Sequence, residues 1–210
     1  MLQLDPFYPI VPDSAWLARL LPQGIKLVQL RIKDQPEAAI RTEIAKALEL
    51  CAHARCQLVV NDYWREAIQE GADFIHLGQE DLAGADLAAI RAAGVKLGIS
   101  THNDEELGIA LAAGPDYVAL GPIYPTLLKK MPWAPQGLER IAAWKSRIAC
   151  PLVAIGGLTP ERAPGVFQAG ADSVAVVTDI LTNEHPEQRT RTWTAATGPW
   201  RGRSGGLVKR

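Results

Sequence analysis

The sequence predicts an α/β fold built as a single (β/α)8 TIM barrel, and three observations carry that expectation. Gly24, Gly71, Gly94, Gly114 and Gly170 each stand just before a short apolar run, such as Ile-Lys-Leu-Val-Gln-Leu after Gly24. A glycine just past a helix takes the left-handed conformation that other residues resist, and the chain then turns into a strand. The glycines at 71, 94 and 114 lie 23 and 20 residues apart, and the intervals 24 to 71 and 114 to 170 are about twice as long. One strand plus one helix fills the short interval and two such units the long one, the alternation of a parallel sheet. Finally, eight apolar runs of strand length follow one another, and eight units that close on themselves make a barrel; an open doubly wound sheet is the alternative that this regularity disfavours.

Taken in order, the strands fall at 7–11, 26–31, 57–61, 74–77, 96–100, 117–121, 152–155 and 173–177. Between them, Ile40, Ile44, Ala47, Leu48 and Cys51 recur at the three- and four-residue steps that press one helical face against a sheet. Leu138, Ile141 and Ile148 outline another such face. Asn103 with Glu106 resembles a capping box, and Thr159-Pro160 reads as an N-cap followed by proline at the first helical position. The barrel domain is expected to cover 1–188. After Glu187 there are no acids, and Arg191, Arg201, Arg203, Lys209 and Arg210 stand amid glycine and threonine without a helical apolar period. Residues 189–210 are therefore expected to form a basic tail, disordered or weakly docked, as a frame-shifted or appended end would be.

A chain of 210 residues suffices for one domain with a sizeable core. With 48% hydrophobic and 21% charged residues and a formal net charge of -1, it does not read as a general nucleic-acid or membrane-surface binder. Its six tryptophans share no spacing that suggests a stacking platform for bases. Cys51, Cys56 and Cys150 are an odd number without metal-ligand spacing and are expected to be reduced thiols in a cytoplasmic protein. Residues 1–13 lack the pattern of a signal peptide, and no window approaches a membrane span. Neither nucleic acid nor membrane is thus an expected partner, and a homo-oligomer is compatible with the sequence.

In a barrel of this kind chemistry sits at the carboxyl ends of the strands. The residues there are Arg31 and Lys33, Asn61 and Asp62, Gln79 and Asp81, Ser100 with Thr101 and His102, the segment 122–135, Gly156-Gly157, and Thr178 with Asp179. The set is polar, cationic and glycine-bearing, as a phosphate pocket with a metal would be. Asp62 and Asp81 each end an apolar run, Leu-Val-Val-Asn-Asp and His-Leu-Gly-Gln-Glu-Asp, and would leave neighbouring strands at the same end. Such a pair suits a hard cation like Mg²⁺; helix capping is the plainer use of the same residues. Gln29, Arg31 and Lys33 alternate and so share one face, a costly placement inside a barrel unless the outer two reach a ligand at the mouth. Arginine suits a bidentate phosphate contact and lysine a compact charge.

The loop 121–133 holds Thr126, Lys129 and Lys130 amid Pro122, Pro125 and Pro132, and reads equally as a substrate clamp or as an insertion. Gly156-Gly157 permits close backbone approach where barrels often hold a phosphate. His76 lies within a strand and is expected to be a hydrogen-bonded interior group rather than a base, and His102 a neighbour of a helix cap.

Gln-Leu-Arg-Ile-Lys at 29–33, Asn-Asp at 61–62, His-Leu-Gly-Gln-Glu-Asp at 76–81, Gly-Ile-Ser-Thr-His at 98–102, Gly-Pro-Ile-Tyr-Pro-Thr at 121–126 with Lys129, and Ala-Ile-Gly-Gly at 154–157 together resemble the thiamine phosphate synthase family, over about residues 7–181. The resemblance implies a transferase of thiamine biosynthesis that joins a hydroxymethylpyrimidine pyrophosphate to a thiazole phosphate and releases pyrophosphate. By that likeness Gln29, Arg31, Lys33, Asn61, Ser100 and Lys129 would hold the pyrimidine substrate, with Arg31, Lys33, Ser100 and Lys129 closest to the chemistry. Asp62 and Asp81 would ligate Mg²⁺. Thr126, Gly157, Val177 and Thr178 would line the thiazole phosphate site, and Leu30, Ile32, Leu127 and Leu128 fall within the same substrate-binding stretches. One residue departs from the family's pattern: a second threonine is usual just before the lysine, and Leu128 stands there.

Overall fold

The computed structural model describes residues 2–126 and 133–202. Eight strands, β1 (Phe7–Val11), β2 (Leu27–Leu30), β3 (Gln57–Asn61), β4 (Phe74–Leu77), β5 (Lys96–Thr101), β6 (Tyr117–Leu120), β7 (Leu152–Ile155) and β8 (Ser173–Val176), pair in parallel in sequence order. β8 returns to β1 through Phe7 opposite Val174 and closes the barrel. Every expected strand is present to within one residue at either end. The glycines that end the helices carry the positive φ their positions require, from 67° at Gly114 to 110° at Gly170.

Alternation along each strand builds two cores. Side chains such as Phe7, Val28, Leu30, Val60, Ile75, Ile99, Val118 and Val174 point outward into the layer between sheet and helices. Tyr8, Ile10, Leu27, Val59, Phe74, Tyr117, Ala119, Val153 and Ala175 fill the barrel itself. Burial of both faces explains why the strands read as nearly continuous apolar runs. Gly98 sits where it must, because a Cβ there would meet the Tyr117 ring at 2.1 Å.

The helices are α1 (Ser14–Leu20), α2 (Glu37–Ala54), α3 (Trp64–Gln69), α4 (Gln79–Ala83), α5 (Leu87–Ala92), α6 (Asp104–Ala112), α7 (Gly137–Lys145), α8 (Ala163–Gln168), α9 (Thr178–Leu181) and α10 (Pro186–Thr197). α2 buries Ile40, Ile44, Ala47 and Cys51, the face expected from the sequence. Asn103 caps α6 through Oδ1, which accepts from the Glu106 N–H at 2.9 Å. Glu106 returns its carboxylate to the His102 N–H at 2.7 Å, one residue before the position a capping box uses. α8 starts later than expected: Thr159 opens a turn whose carbonyl accepts from the Arg162 and Ala163 N–H groups, and the helix follows.

The carboxyl-terminal segment corrects the expected boundary at residue 189. The chain from 186 to 197 is helical and buries Thr190, Trp193 and Thr197. Trp193 stacks on Phe7 with ring centroids 5.5 Å apart and donates its Nε1–H to Asp179 at 2.7 Å. Arg189 grips the same carboxylate with two bonds of 2.7 and 2.8 Å. The apolar period is hidden because threonines supply it. Thr190 and Thr197 return their hydroxyl protons to the carbonyls four residues earlier, at 2.8 and 2.9 Å, so their methyl groups pack without an unmet polar atom. Beyond α10, Trp200 stacks on Phe167 and Arg201 pairs with Asp5 at 2.8 Å. Residues 203–210 lie outside the described residues. Cys51, Cys56 and Cys150 are free thiols. Among the described residues no helix is long and apolar enough to cross a membrane.

Candidate active site

β2, β3 and β4 deliver the charged side of the mouth. Arg31 and Lys33 follow β2 and are exposed, with the buried Ile32 between them anchoring the segment. The Lys33 ammonium donates to Asp62 Oδ2 at 2.7 Å. Asp62 adopts a left-handed backbone (φ 66°), and its N–H donates to the His76 carbonyl at 2.9 Å, so β4 fixes the direction in which the carboxylate leaves β3. Such a backbone is uncommon for a residue with a side chain, although aspartate tolerates it better than most.

α3 starts from Tyr63 and α4 from Gly78, so neither Asp62 nor Asp81 occupies a cap position. Asp81 lies instead in the first turn of α4, with its carboxyl beside that of Asp62. Partial burial, then the Asp62 charge and a hydrogen bond between the two carboxyls, raise Asp81 above the usual carboxylate range, while Lys33 opposes the shift. Two neighbouring carboxyls of this kind form a donor set suited to a divalent cation. Among the described residues no group of three or more His, Cys, Asp and Glu assembles. A cation held here would therefore draw the rest of its shell from water and phosphate oxygens, which is the habit of Mg²⁺.

Beneath this charged rim runs a buried polar chain. The Gln29 amide, 3% exposed, donates to Tyr8 Oη at 3.0 Å, and Tyr8 Oη lies 3.0 Å from Tyr117 Oη. Tyr117 Oη lies 2.7 Å from His76 Nδ1, and His76 Nε2 lies 2.7 Å from Ser100 Oγ. Gln79 donates to the Ser100 carbonyl at 2.6 Å, holding the end of β5. Burial pushes His76 down to about 4, so the ring is neutral at ordinary pH. His76 is thus the interior hydrogen-bonding group expected, and Asn61, also buried, stands beside it in register on β3. Gln29 thus directs an N–H of its amide inward to Tyr8.

The opposite rim is built by β6, β7 and β8. After the cis Gly121-Pro122 bond the chain runs beside β7: the Ile123 N–H donates to the Ile155 carbonyl at 2.9 Å and the Tyr124 N–H to that of Gly156 at 3.1 Å. Gly156 and Gly157 have positive φ (97° and 65°), and their Cβ atoms would lie 2.7 Å from Pro122 Cα and 2.5 Å from the Pro125 carbonyl oxygen. Only glycine lets the two loops approach so closely. Arg162 donates to the Gly157 carbonyl and lies over the Tyr124 ring, 4.5 Å from its centroid. The half-buried Thr126 closes the described part of this loop. Val177 and Thr178 open α9, and the adjacent Asp179 is committed to Arg189 and Trp193 of α10. Leu127, Leu128 and Lys129 lie outside the described residues.

The structure therefore brings Gln29, Arg31, Lys33, Asn61, Asp62, Asp81 and Ser100 to one side of the mouth and Thr126, Gly157, Val177 and Thr178 to the other. Sequence reasoning missed Tyr8 and Tyr117, whose inward registers were legible but whose hydroxyl partners were not. It also missed Trp133, which stacks on His102 with centroids 3.9 Å apart and ties the far end of the 121–133 loop to the end of β5.

A family profile described as thiamine monophosphate synthase matches residues 8–180. The chain is 66% identical over 201 residues to a thiamine-phosphate synthase of Rhizobium etli, covering 95% of this chain and 98% of that protein. A thiamine-phosphate synthase of Klebsiella pneumoniae is 47% identical, over 90% of this chain and 87% of its own length. The solved thiamine phosphate pyrophosphorylase from Pyrococcus furiosus superimposes with a TM-score of 0.83 at 25% identity, over 94% of this chain and 98% of that one. On the profile match, these identities and the shared barrel, the chain belongs to the thiamine monophosphate synthase family.

Proposed function

We propose that the barrel mouth joins hydroxymethylpyrimidine pyrophosphate to thiazole phosphate, giving thiamine monophosphate and pyrophosphate. The observation that carries this reading is the cluster of Arg31, Lys33, Asp62 and Asp81 at adjacent strand ends, with Lys33 already 2.7 Å from Asp62. It faces the glycine-bearing loop after β7 across the ring. The pyrimidine substrate would lie on Gln29, Asn61 and Ser100, with its pyrophosphate on Arg31, Lys33 and, from the loop after β6, Lys129. The thiazole phosphate would take the amides of Gly157, Val177 and Thr178 with the Thr126 hydroxyl.

In the reaction the bond between the pyrimidine methylene and the pyrophosphate oxygen breaks, and its electron pair leaves with pyrophosphate. The electron-rich aminopyrimidine carries the positive charge left on the methylene, and the thiazole nitrogen supplies the pair for the new carbon–nitrogen bond. Mg²⁺ bound by Asp62 and Asp81 would neutralise part of the charge on the pyrophosphate. Arg31 and Lys33 would add positive charge and donors to the same leaving group. No protein nucleophile or strong base is required, and the neutral, buried His76 supplies neither.

The test is to mix the purified chain with both precursors and Mg²⁺ and to follow both products. Thiamine monophosphate and pyrophosphate should form in equal amounts. Intact binding of both precursors without product would identify a binder of thiamine precursors instead.

A further inference from the structure

The polar chain beneath the mouth takes a direction from the Gln29 amide, oriented with its Nε2 toward Tyr8. The Gln29 Nε2–H donates to Tyr8 Oη at 3.0 Å. Tyr8 is buried, so its own single proton goes to the nearest acceptor, Tyr117 Oη at 3.0 Å. With that orientation Tyr117, having accepted, would donate onward to His76 Nδ1, 2.7 Å away. A neutral imidazole that accepts at Nδ1 carries its proton on Nε2. That proton would then be the one shared with Ser100 Oγ, 2.7 Å away. The Ser100 oxygen is then occupied as an acceptor, and its O–H is left to donate into the mouth.

We propose that His76 is a positioning residue: the one-way relay from Gln29 through Tyr8 and Tyr117 fixes its Nε2–H tautomer, and this holds the Ser100 hydroxyl as a hydrogen-bond donor toward an acceptor atom of the pyrimidine substrate. The inference rests on the reading that Ser100 contacts that substrate, and it adds what the contact recognises. A ring nitrogen with a lone pair is accepted, and a heterocycle presenting an N–H at the same place is refused. The barrel geometry supports the relay at each step. Gln29, His76 and Tyr117 belong to β2, β4 and β6, and Tyr117 reaches His76 only because Gly98 on β5 between them lacks a Cβ that would lie 2.1 Å from the tyrosine ring. The His76 and Tyr117 rings stack with centroids 5.5 Å apart, which fixes the imidazole plane as well as its proton.

Two measurements test the relay separately from the contact. Long-range proton–nitrogen correlation on the labelled full chain reads the His76 tautomer directly. The proposal expects Nε2–H. Observation of Nδ1–H would overturn it, since the chain would then run the other way and Ser100 would accept from the ligand. Kinetics supply the second reading. Ser100→Ala should raise KM for the pyrimidine substrate about tenfold, the loss of one hydrogen bond in a dry site, and leave KM for the thiazole phosphate unchanged. Tyr117→Phe should do the same in the wild-type background and add nothing in the Ser100→Ala background. An equal effect of Tyr117→Phe in both backgrounds would mean that the tyrosine acts by packing alone and would sink the proposal. Unchanged pyrimidine kinetics in Ser100→Ala, with the Nε2–H tautomer present, would leave the relay standing but refute the substrate contact on which the proposal depends.

Discussion

Replacing Trp193 by alanine tests whether the last helix is part of the barrel or a loosely attached end. The indole is fully buried, stacked 5.5 Å from Phe7, and bonded to Asp179 at 2.7 Å. Truncating a buried tryptophan costs about 3–5 kcal/mol through lost transfer energy and the cavity left behind. The lost bond to Asp179 adds less than its full worth, because Arg189 keeps the carboxylate paired at 2.7 and 2.8 Å. A total near 4 kcal/mol is a large share of the roughly 5–15 kcal/mol that holds a domain together. For a chain of this size it should lower Tm by about 8–16 °C, at roughly 2–4 °C per kcal/mol. Urea unfolding followed by circular dichroism gives the free energy, and activity below the transition gives the functional cost. Because Asp179 follows Thr178, KM for the thiazole phosphate should rise more than KM for the pyrimidine substrate. A stability loss below about 1 kcal/mol, within the range of surface substitutions, would refute the docking described for α10.

Other consequences follow from the same geometry. His76 is held at about 4 in the fold, so between pH 6.5 and 4 the unfolded chain binds a proton that the folded chain does not. Stability should therefore fall with pH in that window, by about 2 kcal/mol at pH 5 from this residue alone, and His76→Gln should remove that part of the slope in urea titrations. Gly157→Ala places a Cβ 2.5 Å from the Pro125 carbonyl at a φ of 65°. It should raise KM for the thiazole phosphate at least tenfold, and an unchanged KM would remove this loop from the phosphate site. Leu128→Thr restores the hydroxyl usual in the family and should raise kcat/KM several-fold; an unchanged value would mean that the pocket compensates for the leucine.

Much of the barrel was legible because five of its eight strands, β2, β4, β5, β6 and β8, follow a glycine in the left-handed conformation. Gly71, Gly94 and Gly114 mark the period, and the chain obeys it to within a residue. The charged rim was legible for a related reason: Asp62 and Asp81 interrupt apolar runs abruptly, and only the barrel makes those interruptions neighbours. α10 was not legible, since its buried face is made of Thr190, Trp193 and Thr197, and threonine reads as polar until its hydroxyl is seen to close on its own helix. The relay was hidden for the opposite reason. Tyr8 and Tyr117 read as core residues, and it takes the closed ring to bring Oη of one within 3.0 Å of the other across 109 residues of sequence.

Pyrophosphate should depart from a site built by Asp62 and Asp81 together with Arg31 and Lys33. The direct measurement is the magnesium dependence of thiamine monophosphate formation by the wild-type chain and by Asp62→Asn. Asparagine tolerates the left-handed backbone at this position, and an exposed Lys33 pair contributes only about 0–1 kcal/mol, so the variant should fold normally. The wild type should saturate with magnesium and release one pyrophosphate per product, while Asp62→Asn should lose nearly all turnover at the same magnesium concentration with an unchanged Tm. Full turnover by Asp62→Asn at an unchanged magnesium requirement would contradict the assignment of this cluster.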